Sequence, residues 1–474
     1  MQTQCNGQAY LFPAEISRQI IARFDGGSIT SDAGGLLLLQ VERAMGILAQ
    51  FARCFTDHRD VDLIEHTVEE LVSQRGYALA LGYEDLNDHD DLRDDPLLAV
   101  LVGKREPMGQ DRLRKRDRGK ALAGKSTLNR LELTPVGANA ASRYKKIVLN
   151  THQAEMVFTD IFVQSHRRAP MSIVLDLDAT DDPIHGNQLG RFFHGYYKNY
   201  CYLPLYVFCG EHLLWAQLRP SDIDASAGSV KALVKIIGRM RQAWPEVKIL
   251  IRGDSGFCRE NLLAWCERNG VDYLFGLARN ERLVGEIAAE MAQAKEQYQH
   301  TGQAARRFKD FAYQTLTSWS HSRRVVGKAE YLAKGENPRF VVTSLAKEEF
   351  AARSLYEDYY CARGDMENRI KEQQLYLFAD RTSAATMRAN QLRLWFSSIA
   401  YTLMTALRRL GLKNTELANA QCSTIRLKLL KIGAAIKITV RKVWISLAES
   451  YPHRHIFQQV YEHLVRLCPT PRRC

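Results

Sequence analysis

The stretch MSIVLDLDAT, residues 171–180, decides the fold because it is the first clear strand pattern after a long helical region. Its β-branched and leucine residues predict a buried strand, and its aspartates, two positions apart, lie on one face of that strand. Two more strand patterns follow at 200–210 and 212–220, with a tight turn predicted at Gly210 and Glu211. Three consecutive strands of this kind predict an antiparallel meander.

Helical and strand patterns then alternate along the chain. Helices are predicted at 226–243, 258–270 and 281–296, and strands at 247–251 and 271–278. Residues 305–345 return to strand-like alternation before one more helix. The order β-β-β-α-β-α-β-α predicts a mixed α/β sheet that opens with the meander.

Two aspartates come at the carboxyl ends of predicted core strands. Asp178 closes the first strand, and Asp254 follows the fourth strand in the segment ILIRGDSGF. Ligands of α/β sheets bind in the crevice beyond the carboxyl ends of the strands. The two aspartates can meet there only if the first and fourth strands are neighbours, so we expect those strands to be adjacent.

The helix predicted in YYCARGDMENRIKEQQ, residues 359–374, carries polar side chains at helical spacing. Tyr360, Arg363 and Glu367 are three and four residues apart and therefore share one face. One interpretation is an exposed Arg363–Glu367 pair that stabilises the helix by roughly a few tenths of a kcal/mol. The other is that Glu367 joins the two aspartates, in which case the three carboxylates repel one another unless cations lie between them.

Carboxylate oxygens of this kind suit magnesium or manganese. Two such ions about 4 Å apart can activate an attacking oxygen and stabilise the leaving oxygen in phosphoryl transfer. Asp178, Asp254 and Glu367 are therefore candidate ligands of two ions. Asp176 points the same way as Asp178, because side chains alternate along a strand, and is the alternative to it.

The net charge of +12 is concentrated in two blocks. Residues 104–130 carry ten lysines or arginines against three acids, and residues 424–442 carry six basic residues and no acid. Basic clusters beside apolar periodicity are typical of proteins that bind a polyanion, with a solvated face as the alternative. If the first block binds nucleic acid, Arg112, Arg114 and Arg116 are candidate contacts.

The region before residue 166 is predicted to be helical. The patterns lie at 15–24, 32–53, 62–81, 96–103 and 124–132. The acidic segment 84–95 lacks the glycine and glutamate placement of a calcium-binding EF-hand loop. We expect it to be a polar turn that caps the helix starting near Pro96.

Several protein classes are disfavoured by composition. The sequence contains no run of eighteen apolar residues, which a membrane-spanning helix would need, and its first residues lack the layout of a signal peptide. We therefore expect a cytoplasmic protein. None of the ten cysteines forms a C-x2-C pair, which argues against a structural zinc site.

The order of elements, with Asp178, Asp254 and Glu367 in these places, resembles the ribonuclease-H-like core of DDE transposases. The spacing Y-x2-R-x3-E at Tyr360, Arg363 and Glu367 is similar to the signature of the bacterial insertion-sequence group defined by Y-x2-R-x3-E-x6-K. The segments VLDLDATDDPIHGNQ and LIRGDSGF resemble the first and second aspartate blocks of that group.

The signature lysine is the point at which the chain departs from this group. That lysine would fall at position 374, where the chain has Gln374. Lys371, one turn after Glu367, is the alternative basic residue for the same DNA contact.

The resemblance implies a DNA transposase that cleaves the ends of an insertion sequence and joins the 3′-hydroxyl to target DNA by two-metal phosphoryl transfer. Asp178, Asp254 and Glu367 would be catalytic and would hold two Mg²⁺ or Mn²⁺ ions, while Tyr360 and Arg363 would bind DNA near the scissile phosphate. The partners would be the terminal inverted repeats and target DNA in double-stranded form, with a homodimer bringing two ends together on the bacterial nucleoid.

The resemblance also implies a division of the chain. The expected regions are a helical, basic DNA-binding region at 1–165, a first part of the catalytic core at 166–280, a β-rich insertion at 281–350, the last part of the core with the Glu367 helix at 351–410, and a basic helical region at 411–474.

Two other functions remain open on this sequence. One is a metal-dependent nuclease on the same core, which would cut DNA without joining strands. The other is a catalytically idle DNA-binding derivative of a transposase. Retention of Asp178, Asp254 and Glu367 counts against the second, because a protein that only binds DNA has no need of all three.

Overall fold

The computed structural model describes residues 9–12 and 18–467. The chain forms two compact units. The central unit is Leu149–Thr405, and the terminal unit combines Met1–Val148 with Ala406–Cys474. Across the described residues, every helix is too short or too polar to cross a membrane.

The central unit is built on a nine-stranded mixed sheet. Its strands are β1 (Ser172–Ala179), β2 (Leu205–Cys209), β3 (His212–Gln217), β4 (Lys248–Gly253), β5 (Asp272–Leu277), β6 (Ala305–Tyr313), β7 (Arg323–Leu332), β8 (Gly335–Glu336) and β9 (Arg339–Thr343). Their spatial order is β3-β2-β1-β4-β5-β9-β7-β6, with β8 paired to β7. The pairs β1–β4 and β4–β5 are parallel and the others are antiparallel. The predicted mixed α/β sheet opened by an antiparallel meander is confirmed.

Two strand predictions differ from the structure. The predicted strand at 200–210 is interrupted, because Pro204 has no N–H to donate to a sheet. Asn199–Tyr202 instead pairs in a small separate sheet with Asp182–Pro183 and Phe192–His194. The β-rich segment expected as an insertion at 281–350 extends the main sheet, because β9 pairs with β5.

Alternation along β1 separates the core from the polar face. Ile173, Leu175 and Leu177 are buried in the main apolar cluster of the central unit. Asp176 and Asp178 therefore point to the opposite face of the sheet. The helices of this unit are Thr151–Gln164, Ser229–Ala243, Glu260–Arg268, Glu281–Glu286, Ala288–Thr301, Gly364–Leu377 and Met387–Leu410, the last of which continues past Thr405.

The helix Thr151–Gln164 belongs to the central unit, which begins at Leu149, whereas the predicted helical region extended to residue 165. The physical reason is that Phe162 is 2 % exposed and belongs to the same apolar cluster as the core strands. The hydrophobic face of this helix therefore packs with the sheet, although its sequence continues the helical pattern of the preceding residues.

The helical region that carries Glu367 is continuous from Ala352 to Leu377. It passes through a π-helical segment at Leu355–Tyr360 and a 3₁₀ turn at Cys361–Arg363 before the α-helix Gly364–Leu377. Short π-helical segments inside helices are frequent at functional sites.

The terminal unit is mainly helical. Its helices are Gly35–Met45, Ile47–Ala52, Val68–Leu81, Asp88–Leu92, Pro96–Val102, Lys125–Glu132, Cys422–Ile425 and Arg454–Leu467. The predicted helix at 32–53 is broken at Gly46, which adopts a left-handed φ of 60°. Asp95 caps the helix Pro96–Val102 as predicted, because its carboxylate accepts hydrogen bonds from the N–H groups of Leu97 and Leu98.

Two helix predictions in this unit are wrong in part. Of the predicted helix at 15–24, residues 15–17 lie outside the described residues, and Ile20–Ala22 is a strand paired with Tyr10–Phe12. The C-terminal region expected to be helical contains a hairpin of Ala434–Ile438 and Val443–Leu447, which pairs with Ser28–Thr30. The β-branched residues of the hairpin favour strands once a neighbouring strand is present, which local periodicity cannot reveal.

Candidate active site

Asp178 and Asp254 lie at the same edge of the central sheet. Strands β1 and β4 are parallel neighbours, and Asp176 is in register with Arg252. Asp178 lies two residues after Asp176, and Asp254 lies two residues after Arg252, so the two aspartates are at equivalent positions on the two segments of the strand pair. The expected adjacency of the first and fourth strands is confirmed.

Asp178 is a largely buried carboxylate in a crowded electrostatic setting. Its side chain is 16 % exposed, and Oδ1 accepts a hydrogen bond from the N–H of Ala179 at 3.0 Å. Burial is the main cause that raises the pKa of Asp178 to about 7. The carboxylates of Asp254 and Glu367 raise it further, while the Arg363 guanidinium lowers it. The three predicted ligands therefore act on one another electrostatically.

Arg363 links two of the three acids. Its Nη2 donates to Oε1 of Glu367 at 2.8 Å, and its Nη1 lies 3.9 Å from Oδ1 of Asp178. The Arg363 side chain is only 14 % exposed, against 47 % for Glu367. Burial works to lower the pKa of Arg363, but Asp178, Tyr360 and Glu367 raise it on balance. Arg363 is therefore a half-buried counter-ion of the carboxylates rather than one member of a surface pair.

Tyr360 packs against the edge where Asp254 lies. A Cβ at Gly276 of β5 would come within 2.5 Å of the Tyr360 hydroxyl oxygen and 2.9 Å of the Ser255 nitrogen, so this position requires glycine. Burial, together with Asp254, raises the pKa of Tyr360, although Arg363 lowers it. Asp254 accepts a hydrogen bond from the N–H of Gly256 at 2.8 Å, which orients its carboxylate.

Asp176, the alternative ligand, is engaged elsewhere. Both of its oxygens accept hydrogen bonds from Arg252, at 2.7 and 2.8 Å, and Asp176 is 4 % exposed. Arg252 also donates to the carbonyl of Tyr359. Arg252 of β4 therefore connects Asp176 of β1 with the helical region before Glu367. The sequence analysis did not single out Arg252.

The two candidates for the signature lysine are in different environments. The side-chain amide of Gln374 donates to the carbonyl of Asp181 at 3.1 Å, beyond the end of β1. Lys371 is exposed. Gln374 therefore contributes to the structure of the loop after β1, whereas Lys371 remains accessible to a ligand.

A third buried acid near this edge was missed by the sequence analysis. Asp182 is 1 % exposed, and neither of its carboxylate oxygens has a hydrogen-bond partner among the described residues. Burial, with Asp380 and Asp181 nearby, raises the pKa of Asp182 well above its ordinary value. Such a carboxyl is expected to be protonated and therefore unsuited to binding a cation.

The predicted basic contacts in the terminal unit divide into two kinds. Arg112 is 8 % exposed, and its guanidinium donates to the carboxylate of Glu65, to the ring of His66 and to main-chain carbonyls. Arg114 and Arg116 are exposed. The donors of Arg112 are therefore engaged inside the unit, whereas Arg114 and Arg116 are accessible; that these arginines contact DNA stays a prediction.

The carboxylates at the sheet edge have the donor chemistry that a divalent cation prefers, but the positive charge beside Asp178 and Glu367 is that of the Arg363 guanidinium. Within residues 9–12 and 18–467, no group of three or more histidine, cysteine, aspartate or glutamate side chains is positioned to hold a metal ion. Carboxylate oxygens are nevertheless the ligands that magnesium and manganese prefer. A cation there would take over the charge neutralisation that Arg363 now provides.

The comparisons with known proteins bear on this site. No curated protein matches the chain. Among solved structures, the cryo-EM structure of a piggyBac transposase synaptic complex with hairpin DNA gives a TM-score of 0.40 and 10% sequence identity, over 94% of this chain and 83% of that one. A likeness of this size carries no weight for the fold or the site. The family model described as "Transposase DDE domain group 1" matches residues 12–469, nearly the whole chain. The chain therefore belongs to the group 1 transposase DDE domain family.

Proposed function

We propose that this DDE transposase cleaves the ends of an insertion sequence and joins the freed 3′-hydroxyl to target DNA. The observation that carries the proposal is the set of Asp178, Asp254 and Glu367 around the single Arg363 guanidinium at the edge of β1 and β4. Three interacting carboxylates with one arginine leave negative charge that a cation can neutralise.

Asp178, Asp254 and Glu367 would hold the Mg²⁺ or Mn²⁺ ions. When bound, two such ions supply activation of an attacking oxygen and charge neutralisation on the leaving oxygen. Asp178 must lose its proton to serve as a ligand, and its raised pKa of about 7 makes that loss dependent on a nearby positive charge.

Arg363 has two roles in this proposal. Without a cation, its guanidinium neutralises Asp178 and Glu367. Once that charge is supplied from elsewhere, the guanidinium is free to turn toward a phosphate next to the scissile one, which its planar fork fits. Tyr360, three residues before Arg363 on the same helical region, would contribute its hydroxyl or ring to DNA.

The reaction would proceed in two displacements at phosphorus. Water attacks the phosphodiester at the element end and releases a 3′-hydroxyl, and that hydroxyl then attacks a phosphodiester of the target. No covalent bond between protein and DNA forms in this sequence. Because two element ends must be brought together, we expect two copies of the chain on the DNA.

A strand-transfer assay tests this function. Labelled DNA carrying the inverted repeats that flank the coding region is incubated with target DNA, the full chain and Mg²⁺, and the expected result is a joined product. Cut ends without joined product would indicate a nuclease on the same core, and binding without cutting would indicate an idle derivative. Either outcome contradicts the transposase proposal.

A further inference from the structure

A cavity of about 490 Å³ opens in the terminal unit, and arginines dominate its lining. The six arginines are Arg59, Arg93, Arg112, Arg114, Arg116 and Arg130. Three carboxylates also line it. The cavity therefore has an excess of positive charge, which favours an anionic ligand.

The arginines differ in whether their charge is already neutralised. The guanidinium of Arg59 is held by both oxygens of Asp57, and that of Arg112 by both oxygens of Glu65. Arg114 and Arg130 are exposed, and within the described part of the chain neither forms an ion pair with a carboxylate. The uncompensated donors of the cavity are therefore on its exposed side.

Arg93 contributes a further donor from the interior. Its Nη2 lies 3.4 Å from Oδ1 of Asp117, and its Nε is buried without a hydrogen-bond partner among the described residues. A Cβ at Gly124 would come within 2.8 Å of the Asp90 carboxylate and 3.2 Å of the Arg93 guanidinium. The absence of a side chain at Gly124 therefore leaves room beside Arg93.

Hydroxyl groups complete the donor set. Ser126 and Thr127, in the first turn of the helix Lys125–Glu132, line the cavity. The positive surroundings also act on the enclosed His66, whose pKa is lowered to about 2 by burial first and then by Lys104 and Arg112. The lining thus combines guanidinium and hydroxyl donors in a positive potential.

The lining distinguishes between kinds of anion. Small-molecule sites are usually lined by apolar and aromatic side chains that cover the body of the ligand. The lining described for this cavity contains no phenylalanine, tyrosine or tryptophan, and His66 is only 5 % exposed. Its two leucines, Leu63 and Leu113, are 72 % and 66 % exposed. A nucleoside base would have no stacking surface there, whereas a phosphate needs only donors and positive charge.

We propose that this cavity binds a backbone phosphate of DNA, with Arg114 and Arg130 as guanidinium donors and Ser126 and Thr127 as hydroxyl donors. The inference rests on the proposed transposase function, because it identifies where the terminal unit grips the DNA substrate. It differs from a general basic surface in that one concave site, rather than the sum of exposed charges, supplies the contact.

The test compares two double variants with the same change in charge. Arg114→Gln with Arg130→Gln removes the uncompensated donors of the cavity, while Arg105→Gln with Lys115→Gln removes two exposed charges from the same basic block outside its lining. Binding of the full chain to a fluorescent DNA duplex is measured by anisotropy without divalent cations over a range of salt concentrations. We expect the cavity variant to bind about tenfold more weakly or worse, since hydrogen bonds to charged groups are lost. Its slope of log K against log salt should fall in magnitude by about 0.9, the change for one phosphate.

A third variant protects the test against loss of folding. Thr127→Glu places a carboxylate in the cavity at the third residue of a helix, where an acidic side chain is favoured by the helix dipole. We expect it to weaken DNA binding at least as much as the double variant while the thermal unfolding temperature stays at the wild-type value.

Competition with inorganic phosphate tests whether the cavity binds a phosphate of the DNA backbone or a free phosphate ion. At equal ionic strength, we expect phosphate to release DNA from the wild type more effectively than chloride, and this difference to vanish in the cavity variant. Equal losses of DNA affinity in the cavity and control variants would overturn the proposal. The proposal would also be overturned if the cavity variant bound DNA as tightly as the wild type but had lost its response to phosphate. That result would mean that the cavity binds a free anion and not a DNA phosphate.

The binding assay separates this inference from the proposed function. It needs neither cleavage nor strand transfer, so a chain that binds DNA through the cavity but forms no joined product refutes only the transposase mechanism. A chain that joins strands with normal DNA affinity after loss of Arg114 and Arg130 refutes only the cavity assignment.

Discussion

The two units carry opposite electrostatic imbalances. In the central unit, Asp178, Asp254 and Glu367 share one nearby guanidinium, that of Arg363. In the terminal unit, six arginines line a cavity with three carboxylates. The difference shows that a site is better recognised by the charge left over after pairing than by residue type. Arg112 of the cavity is already paired with Glu65, and Asp176 at the sheet edge is already paired with Arg252.

Removal of a carboxylate at the sheet edge should have the largest effect. Asp254→Asn keeps the hydrogen bond from the Gly256 N–H but loses the charge that holds a divalent cation. We expect cleavage of element ends to fall by about a thousandfold or more, roughly 4 kcal/mol of transition-state stabilisation, while binding to those ends stays within about twofold. Gel assays of cutting and anisotropy of binding check the two parts.

Asp222→Asn is the matched control, because Asp222 is an exposed carboxylate of the same unit. It should leave cleavage unchanged. Cleavage by Asp254→Asn at a tenth of the wild-type rate or better would show that Asp254 is not a ligand. Asp178→Asn and Glu367→Gln are expected to behave as Asp254→Asn does.

Loss of the guanidinium shared by the carboxylates should have the next largest effect. Arg363→Ala removes both the counter-ion of Asp178 and Glu367 and the proposed phosphate contact. We expect the cleavage rate at saturating DNA and Mg²⁺ to fall by about 10- to 1,000-fold, or roughly 1.4–4 kcal/mol. Arg363→Lys keeps the charge without the planar fork and should recover part of that rate. If Arg363→Ala were fully active, Arg363 would have no role in cleavage, and its contact with Glu367 would be an ordinary ion pair within a helix.

Two arginines of one basic block should separate stability from DNA binding. Arg112→Gln leaves Glu65 and two main-chain carbonyls, those of Lys120 and Leu122, without their donor inside the terminal unit, so we expect the free energy of unfolding to fall by about 2–3 kcal/mol. Arg114→Gln removes an exposed charge and should change it by less than about 0.5 kcal/mol. Urea unfolding of both variants checks the contrast, and equal stabilities would contradict the structural role assigned to Arg112.

Acidification should also weaken the terminal unit. The pKa values of the buried His66 and His89 are lowered to about 2 and about 3, so both stay neutral in the folded chain while the unfolded chain binds protons near pH 6.5. The free energy of unfolding of this unit should therefore fall as pH drops below 6.5, by at most about 1.4 kcal/mol per pH unit for each histidine.

Asp178 should act in the opposite direction in the central unit. Its raised pKa of about 7 means that the folded chain keeps a proton that the unfolded chain has lost above about pH 4, so stability rises as pH falls from 7. Hydrogen exchange at pH 7 and pH 5, corrected for intrinsic rates, should show protection decreasing in the terminal unit only. A uniform decrease in both units would contradict the contrast.

The local patterns of the sequence were enough to predict much of the central unit. Alternation in residues 171–180 placed Asp176 and Asp178 on the face opposite the apolar core, and the spacing from Tyr360 to Glu367 placed these side chains on one helical region. Such features depend on the periods of a strand and a helix, which a short segment carries by itself. The match to the family likewise extends along nearly the whole chain.

Pairing and burial were decided only by the tertiary structure. The adjacency of β1 and β4 brings Asp178 beside Asp254, although the two lie 76 positions apart in the chain. Arg112 and Arg114 look alike in sequence, yet only Arg112 meets Glu65 and becomes buried. Residues 434–447 form a hairpin because Ser28–Thr30, from the other end of the chain, supplies a neighbouring strand. The physical reason is common to the three cases: a strand needs a partner and a charge needs a counter-charge, and contacts between segments distant in sequence provide both.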